Sequence, residues 1–279
     1  MQMHLFKHTV RLPIIFWQAF FFLGPLFFLV AMSFFVVRNY RMTEAFEMKN
    51  WVKMMGRDYF WDSYMLTIGL STMATLVVMS VAFPAAFTLA FRVSEITRRW
   101  IIFLLIIPFF TSYLVRTFSW YVILAESGVV NAMLSYIGLG PYIMLNTKFG
   151  TIIGYMTLTL PLVIILQTFS LANVDKTLVE AAYNLGCRPW YTVVRVILPL
   201  AKTGFIIAAV FCFILSFGDF VSPYYLGGSK PPTLPILIVD TVKSGQQWPR
   251  AAVVAIVMMI TLFAVAFIGI ATAYRRRHL

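Results

Sequence analysis

The sequence predicts an all-α integral membrane protein of six transmembrane helices. Two observations predict it. Of its 279 residues, 61% are apolar and only 11% are charged. The few charges also divide the chain into apolar intervals long enough to span a bilayer. Soluble domains carry about 25% charged residues, so most of this chain lies where charge is costly. A helix that crosses the hydrocarbon core needs about 20 apolar residues. Leu12–Val37, Ser63–Phe91, Phe149–Val174 and Ala251–Tyr274 contain no charge at all. Trp100–Ala125 and Thr203–Ser229 each reach that length with one charge admitted, Arg116 and Asp219 respectively. The expected spans are residues 12–37, 63–91, 100–125, 149–174, 203–225 and 251–274, in a single transmembrane domain covering 1–279.

His4, Lys7, His8 and Arg11 precede the first interval, as in a signal peptide. The uncharged run that follows exceeds the about 7–15 residues of a signal h-region and carries no clear cleavage site, so it is expected to remain as a helix. Pro25, Pro84, Pro108, Pro161 and Pro223 fall within or near the ends of spans. Transmembrane helices tolerate them because neighbours satisfy the freed carbonyls. Between spans, residues 38–62 read as a short structured loop of mixed charge. Residues 126–148, with Gly128, Gly138, Gly140 and Pro141, read as a short helix broken by turns. Residues 226–249 hold Gly227, Gly228, Pro231, Pro232, Pro235 and Pro249, too much punctuation for a regular helix, and are expected to dip back into the protein.

Six spans place both termini on one side. That side receives twelve basic residues, including Lys7, Arg11 and Arg275–Arg277, against three acids; the other receives nine against six. The positive-inside rule puts both termini in the cytoplasm. The net charge of +12 lies in short segments between apolar runs, so it fits topology and anionic headgroups rather than nucleic acid. Cys187 and Cys212 form neither a metal motif nor a disulfide framework.

One cytoplasmic loop is long, residues 173–202. Leu178, Ala181, Ala182 and Leu185 follow the i, i+3, i+4, i+7 spacing of an amphipathic helix, with Asp175 as N-cap and Gly186 as stop. Trp190, Val193, Val194 and Ile197 repeat the spacing, and Pro189 suits the first turn of a second helix. Such a pair either finishes the bundle at the interface or fits a groove on a partner.

The string Glu180-Ala181-Ala182, three residues, Gly186, nine residues, Val196-Ile197-Leu198-Pro199 resembles the EAA loop of ABC-importer permeases, departing from it only at Val196. The resemblance implies a type I ABC permease fold in which Glu180, Ala181, Ala182, Leu185 and Gly186 belong to coupling helices that dock on a cytoplasmic ATPase. It also implies alternating access in a bacterial inner membrane. The implied partners are a second homologous permease subunit, a pair of ATPase subunits and a periplasmic solute-binding protein. The chain has no G-x-x-x-x-G-K-[ST] phosphate loop, so ATP and Mg are expected on the ATPase subunits and no catalytic residue on this chain. Three further segments, Pro108–Leu124, Ser216–Gly228 and Gln246–Ala252, resemble the polyamine (spermidine/putrescine) branch of type I permeases. That branch also includes importers for opines and aminoethylphosphonate. Gln247-Trp248-Pro249 departs from the D-W-P of relatives in it.

Arg116 and Asp219 are ionisable residues inside spans, and such residues are functional candidates. Each is the seventeenth residue from the cytoplasmic start of its interval. On straight helices at 1.5 Å per residue both lie about 24 Å from the inner boundary. One reading joins them in a polar layer on the translocation path, where Asp219 attracts a cationic amine and Arg116 holds it. The other has each side chain snorkel outward separately. Tyr113, Trp120 and Tyr224 stand near the same level and form either a cation–π surface or part of an aromatic belt.

Other classes fit less well. A secondary transporter would show inverted repeats and a midplane ion site, and neither is present. A membrane enzyme or metal site needs clustered His, Cys or carboxylates, whereas His4, His8 and His278 all lie at the termini. A channel has no use for an EAA loop.

Overall fold

The computed structural model describes residues 13 and 15–274. Lys7, Arg11 and Arg275–Arg277, which carry part of the orientation argument, lie outside the described residues. Those residues fall into two compact units. One runs to Ser63 and adds Leu234–Ile260; the other holds Tyr64–Thr233 and continues from Thr261.

The first unit begins with α1, Ile15–Ser33, an apolar helix most of whose large side chains are exposed, while Leu26, Leu29 and Met32 are half-buried. A π-helical turn interrupts it at Ala19–Leu23, just before Pro25. At its end Phe34 N and Phe35 N close on Ala31 O and Met32 O, and the buried Asn50 amide donates to Ser33 O at 3.0 Å and, just beyond the helix, to Phe35 O at 2.7 Å. A hairpin follows, β1 (Val36–Arg38) paired antiparallel with β2 (Arg41–Thr43). Asn39 and Tyr40 both take positive φ, the conformation a two-residue hairpin loop demands. α2 spans Lys49–Met55.

Residues 226–249 correct the expectation drawn from their prolines. They contain a regular helix, Leu234–Lys243 (here α11), with Leu234, Pro235, Ile236 and Leu237 buried. Pro235 stands in its first turn, where a missing N–H leaves no bond unmade.

The second unit carries most of the bundle. α3, Asp58–Phe91, begins about a turn before the expected span and continues through Pro84. The third expected span is not one straight helix. α4 (Glu95–Ile106) passes into a 3-10 turn at Ile107–Phe110, and α5 (Tyr113–Leu124) leads to α6 (Val129–Tyr136). The two halves meet at 92°. Pro108 lies in the 3-10 turn, and Thr111 is extended at φ −95°, ψ 146°. α7 is Lys148–Ala172, and α8 is Lys176–Asn184. α9 runs unbroken from Pro189 to Gly218. The second cytoplasmic helix expected in the loop is therefore the first turns of the fifth span. A π turn at Val193–Ile197 carries the chain up to Pro199, which removes one helical donor. α10 is Val221–Tyr225, and α12 is Trp248–Tyr274. Among the described residues five helices are long and apolar enough to cross a membrane, six if the bent pair counts as one span.

α7 against α9 is the main pairing of this unit. Val163 on α7 and Ala208 and Cys212 on α9 share one buried cluster with Val78 and Ala82 of α3. Ser170 Oγ donates to Ala201 O at 2.8 Å. Gly204 faces Ser170 so closely that any side chain there would meet it.

Candidate functional site

The loop over residues 173–202, expected to couple to an ATPase, is built by its end residues. Asp175 accepts from Thr177 N at 2.9 Å and so starts α8. That bond, with the Thr177 hydroxyl, holds the Asp175 carboxyl below the ordinary carboxylate range. At the other end Gly186 N reaches Tyr183 O at 2.9 Å and Cys187 N reaches Ala182 O at 3.0 Å, the double bond of a Schellman stop. Gly186 takes φ +81°, with nothing near its missing side chain. Its requirement is conformational rather than steric. Pro189 then starts α9.

The expected apolar stripe of α8 divides. Ala182 is buried at 8% exposure, and half-buried Val179 packs on a cluster that includes Ala86, Leu171, Val193 and Ile197. Leu178 and Ala181 are exposed, and Leu185 is 86% exposed. Within Glu180-Ala181-Ala182, one alanine seats the helix on its own bundle while Glu180 and Ala181 face outward. Glu180 also borders a groove of about 630 Å³ with Phe87, Phe91, Arg92, Tyr183 and Trp190.

The two charges within the spans do lie close to one residue in common, although the depth argument fails. The bend at Thr111 means that rise along the third interval does not add up in a straight line. Asp219 stands at the end of α9, where the chain turns extended at φ −75°, ψ 125°. Its carboxylate accepts from Val221 N (Oδ1, 2.9 Å), from Ser222 N (Oδ2, 3.2 Å) and from the Tyr113 hydroxyl (Oδ2, 2.6 Å). It is 7% exposed. Tyr113 also bonds Ser222 Oγ. Arg116 does not pair with Asp219. Its guanidinium lies 5.8 Å from the centre of the Tyr113 ring and donates to Thr157 O at 3.2 Å, and its Nε is buried without a partner. Tyr113 thus touches both charges, one through its ring and one through its hydroxyl.

Tyr224 stacks on Phe220 with centroids 4.9 Å apart and meets Tyr225 edge-on, and Tyr225 packs on Phe118. Trp120 is half-buried on α5, seven residues on from Tyr113. Phe217 is fully buried and stacks on Phe213 instead.

The sequence reading missed Ser222, Tyr155 and two glycines of α7. A Cβ at Gly154 would strike Ser222, and one at Gly150 would sit 2.6 Å from Leu226 O. This G-x-x-x-G spacing, which lets helices approach closely, was the available signal. Tyr155 is fully buried with its hydroxyl unpartnered, and no spacing marks it.

The family described as "Binding-protein-dependent transport system inner membrane component" matches residues 79–278. A Haemophilus influenzae protein named "Spermidine/putrescine transport system permease protein PotB" is 29% identical over 271 residues, covering 93% of this chain and 91% of its own. Its Escherichia coli K12 namesake is 27% identical over 220 residues, covering 78% and 79%. Among solved structures, a bacterial ABC transporter that imports the acidic polysaccharide alginate aligns over 98% of this chain and 96% of its own, with TM-score 0.78 and 17% identity. The alginate transporter has also been solved in complex with an alginate pentasaccharide-bound periplasmic protein, at TM-score 0.77 and 18% identity over the same shares. These likenesses show the fold. With the match over most of its length, the chain belongs to the binding-protein-dependent transport system inner membrane components, the permease subunits of ABC importers.

Proposed function

We propose that this permease subunit imports polyamines, spermidine or putrescine, or a related small amine-bearing solute, by alternating access. Similarity over nearly the whole chain to permeases named for spermidine and putrescine carries that reading. A second homologous permease completes the path, and a periplasmic binding protein delivers the solute. Two ATPase subunits bind ATP and Mg. Both termini are cytoplasmic, on the side of the coupling loop. The exposed stripe of Leu178, Ala181 and Leu185 is the surface that docks on an ATPase subunit, with Glu180 setting register and Gly186 turning the helix outward. Apolar side chains left exposed on a loop outside the bilayer fit a protein partner better than water.

One observation favours a second reading. The Asp219 carboxylate is already occupied by two backbone N–H groups and a hydroxyl. It offers little to a passing cation, so selectivity resides elsewhere, and an importer for an opine, aminoethylphosphonate or another small solute accommodates the same site.

The test is ATPase activity of the complex assembled from this chain and its neighbouring gene products in lipid. Binding protein loaded with spermidine or putrescine should stimulate hydrolysis, and Glu180→Ala should reduce the stimulation. An assembled complex that ignores polyamines but responds to another loaded binding protein transfers the assignment to that solute.

A further inference from the structure

One cavity belongs to neither the coupling loop nor the polar layer. It encloses about 270 Å³ at the end of α7 remote from residues 176–186. Thr147 and Lys148 line it from the start of α7, Lys230 and Thr233 from the loop after α10, and Leu66 and Leu70 from α3. None of its twelve lining residues is acidic.

Three independent features here lack a negative partner. Lys148 and Lys230, both exposed, bring two cations to one cavity whose lining includes no carboxylate. The 25-residue α7 presents its N-terminus here, and Thr147 caps it through a single bond from Gly150 N at 3.2 Å. The remaining first-turn amides and the positive end of the helix dipole favour an anion. Thr233 is 2% exposed, and its hydroxyl is buried without a partner. A buried donor with nothing to bond is rare in a folded chain. An acceptor-rich anion satisfies all three at once.

We propose that this cavity binds a phosphate-class oxyanion carried on a small substituent. Its oxygens accept from the two ammonium groups, the α7 amides and the Thr233 hydroxyl. Leu66 and Leu70 form the apolar wall against which an ester carbon packs. The cavity exceeds the needs of a bare phosphate, which is why a substituent is included. The same chemistry is offered by a phosphodiester lipid headgroup and by a free phosphate. The inference does not depend on which solute the importer carries.

The experiment uses the assembled transporter and has two arms. Delipidated complex in neutral detergent is titrated with inorganic phosphate by calorimetry. In parallel, complex in nanodiscs of the phosphate-free glycolipid digalactosyldiacylglycerol doped with phosphatidylglycerol is released for native mass spectrometry, and retained phosphatidylglycerol is counted. Saturable binding is expected in at least one arm. Titration with phosphate identifies a free ligand; retention of phosphatidylglycerol alone identifies a headgroup. Lys148→Gln with Lys230→Gln should weaken it roughly tenfold or more, and Thr233→Val roughly threefold to tenfold. Lys243→Gln, an exposed lysine away from the cavity lining, should leave it unchanged. If the double variant fails to assemble, the single lysine variants at their exposed positions carry the test. Absence of saturable binding in both arms, or equal binding by wild type and the lysine variants, overturns the proposal.

Discussion

The coupling loop and the polar layer around Tyr113 are both marked by unusual residues for their surroundings, yet they are finished in opposite ways. In α8, Leu178, Ala181 and Leu185 sit exposed beside charged neighbours on a loop between spans. That surface is the one proposed to dock on an ATPase subunit. Around Asp219 every acceptor direction used is filled from within: Val221 N, Ser222 N and the Tyr113 hydroxyl all bond the carboxylate. The lesson is that a charge in a span is not by itself an invitation to solute. A carboxylate at a helix break is equally a cap for the helix that follows, and what remains unsatisfied is the better guide to a partner.

The sharpest way to break this comparison is to charge the unfinished surface. Leu185→Asp should lower recovery of the ATPase subunits with the permease roughly tenfold or more, since a charge would be buried without a partner on docking. The permease itself should stay folded because Leu185 touches solvent. Undiminished co-purification would remove α8 from the interface.

Next in size is the finished site. Asp219→Ala strands two backbone donors and takes one of the Tyr113 hydroxyl's two partners, and should destabilise the permease by about 2–4 kcal/mol, read as a lowered Tm in detergent. Asp219→Asn keeps a capping oxygen and the shape. It should retain most of the stability and most of the uptake. If Asn instead abolishes uptake of a cationic solute with the Tm unchanged, the negative charge itself acts in transport.

A smaller effect tests how the layer is held in place. Gly154→Val would push its side chain into Ser222 and against Leu226 Cδ1 at about the 3.1 Å seen for an added Cβ. Overpacking of this kind costs about 1–3 kcal/mol. Thermal unfolding should fall in that range, and a second-site Ser222→Ala should recover part of it.

The smallest effect concerns Asp175. Its carboxyl is held below its ordinary value by Thr177, so the cap is intact at neutral pH and above the unfolded value. It weakens as pH falls through the depressed folded value. The protection factors of the residue 176–184 amides, their exchange rates referred to the intrinsic rate at each pH, should therefore fall on acidification in wild type and lose that dependence in Asp175→Ala.

Much of the architecture was legible before any coordinates. Charge scarcity and interval lengths predicted the spans, because a charge in hydrocarbon is expensive wherever the helices lie relative to one another. Asp175, Gly186 and Pro189 marked the loop's turns because caps and stops act within a few residues. Pro108 did not announce a 92° bend, nor Pro235 a helix start, because the consequence of a proline depends on which carbonyls find other partners. The apolar intervals and the local cap and stop of α8 were thus determined by the sequence alone. Which face of α8 is left open, and that Tyr113 stands between Arg116 and Asp219, were decided only in the tertiary structure. Helix rotation and side-chain pairing across more than 100 residues of chain, as between Tyr113 and Asp219 at a separation of 106, are set by packing that no local period encodes.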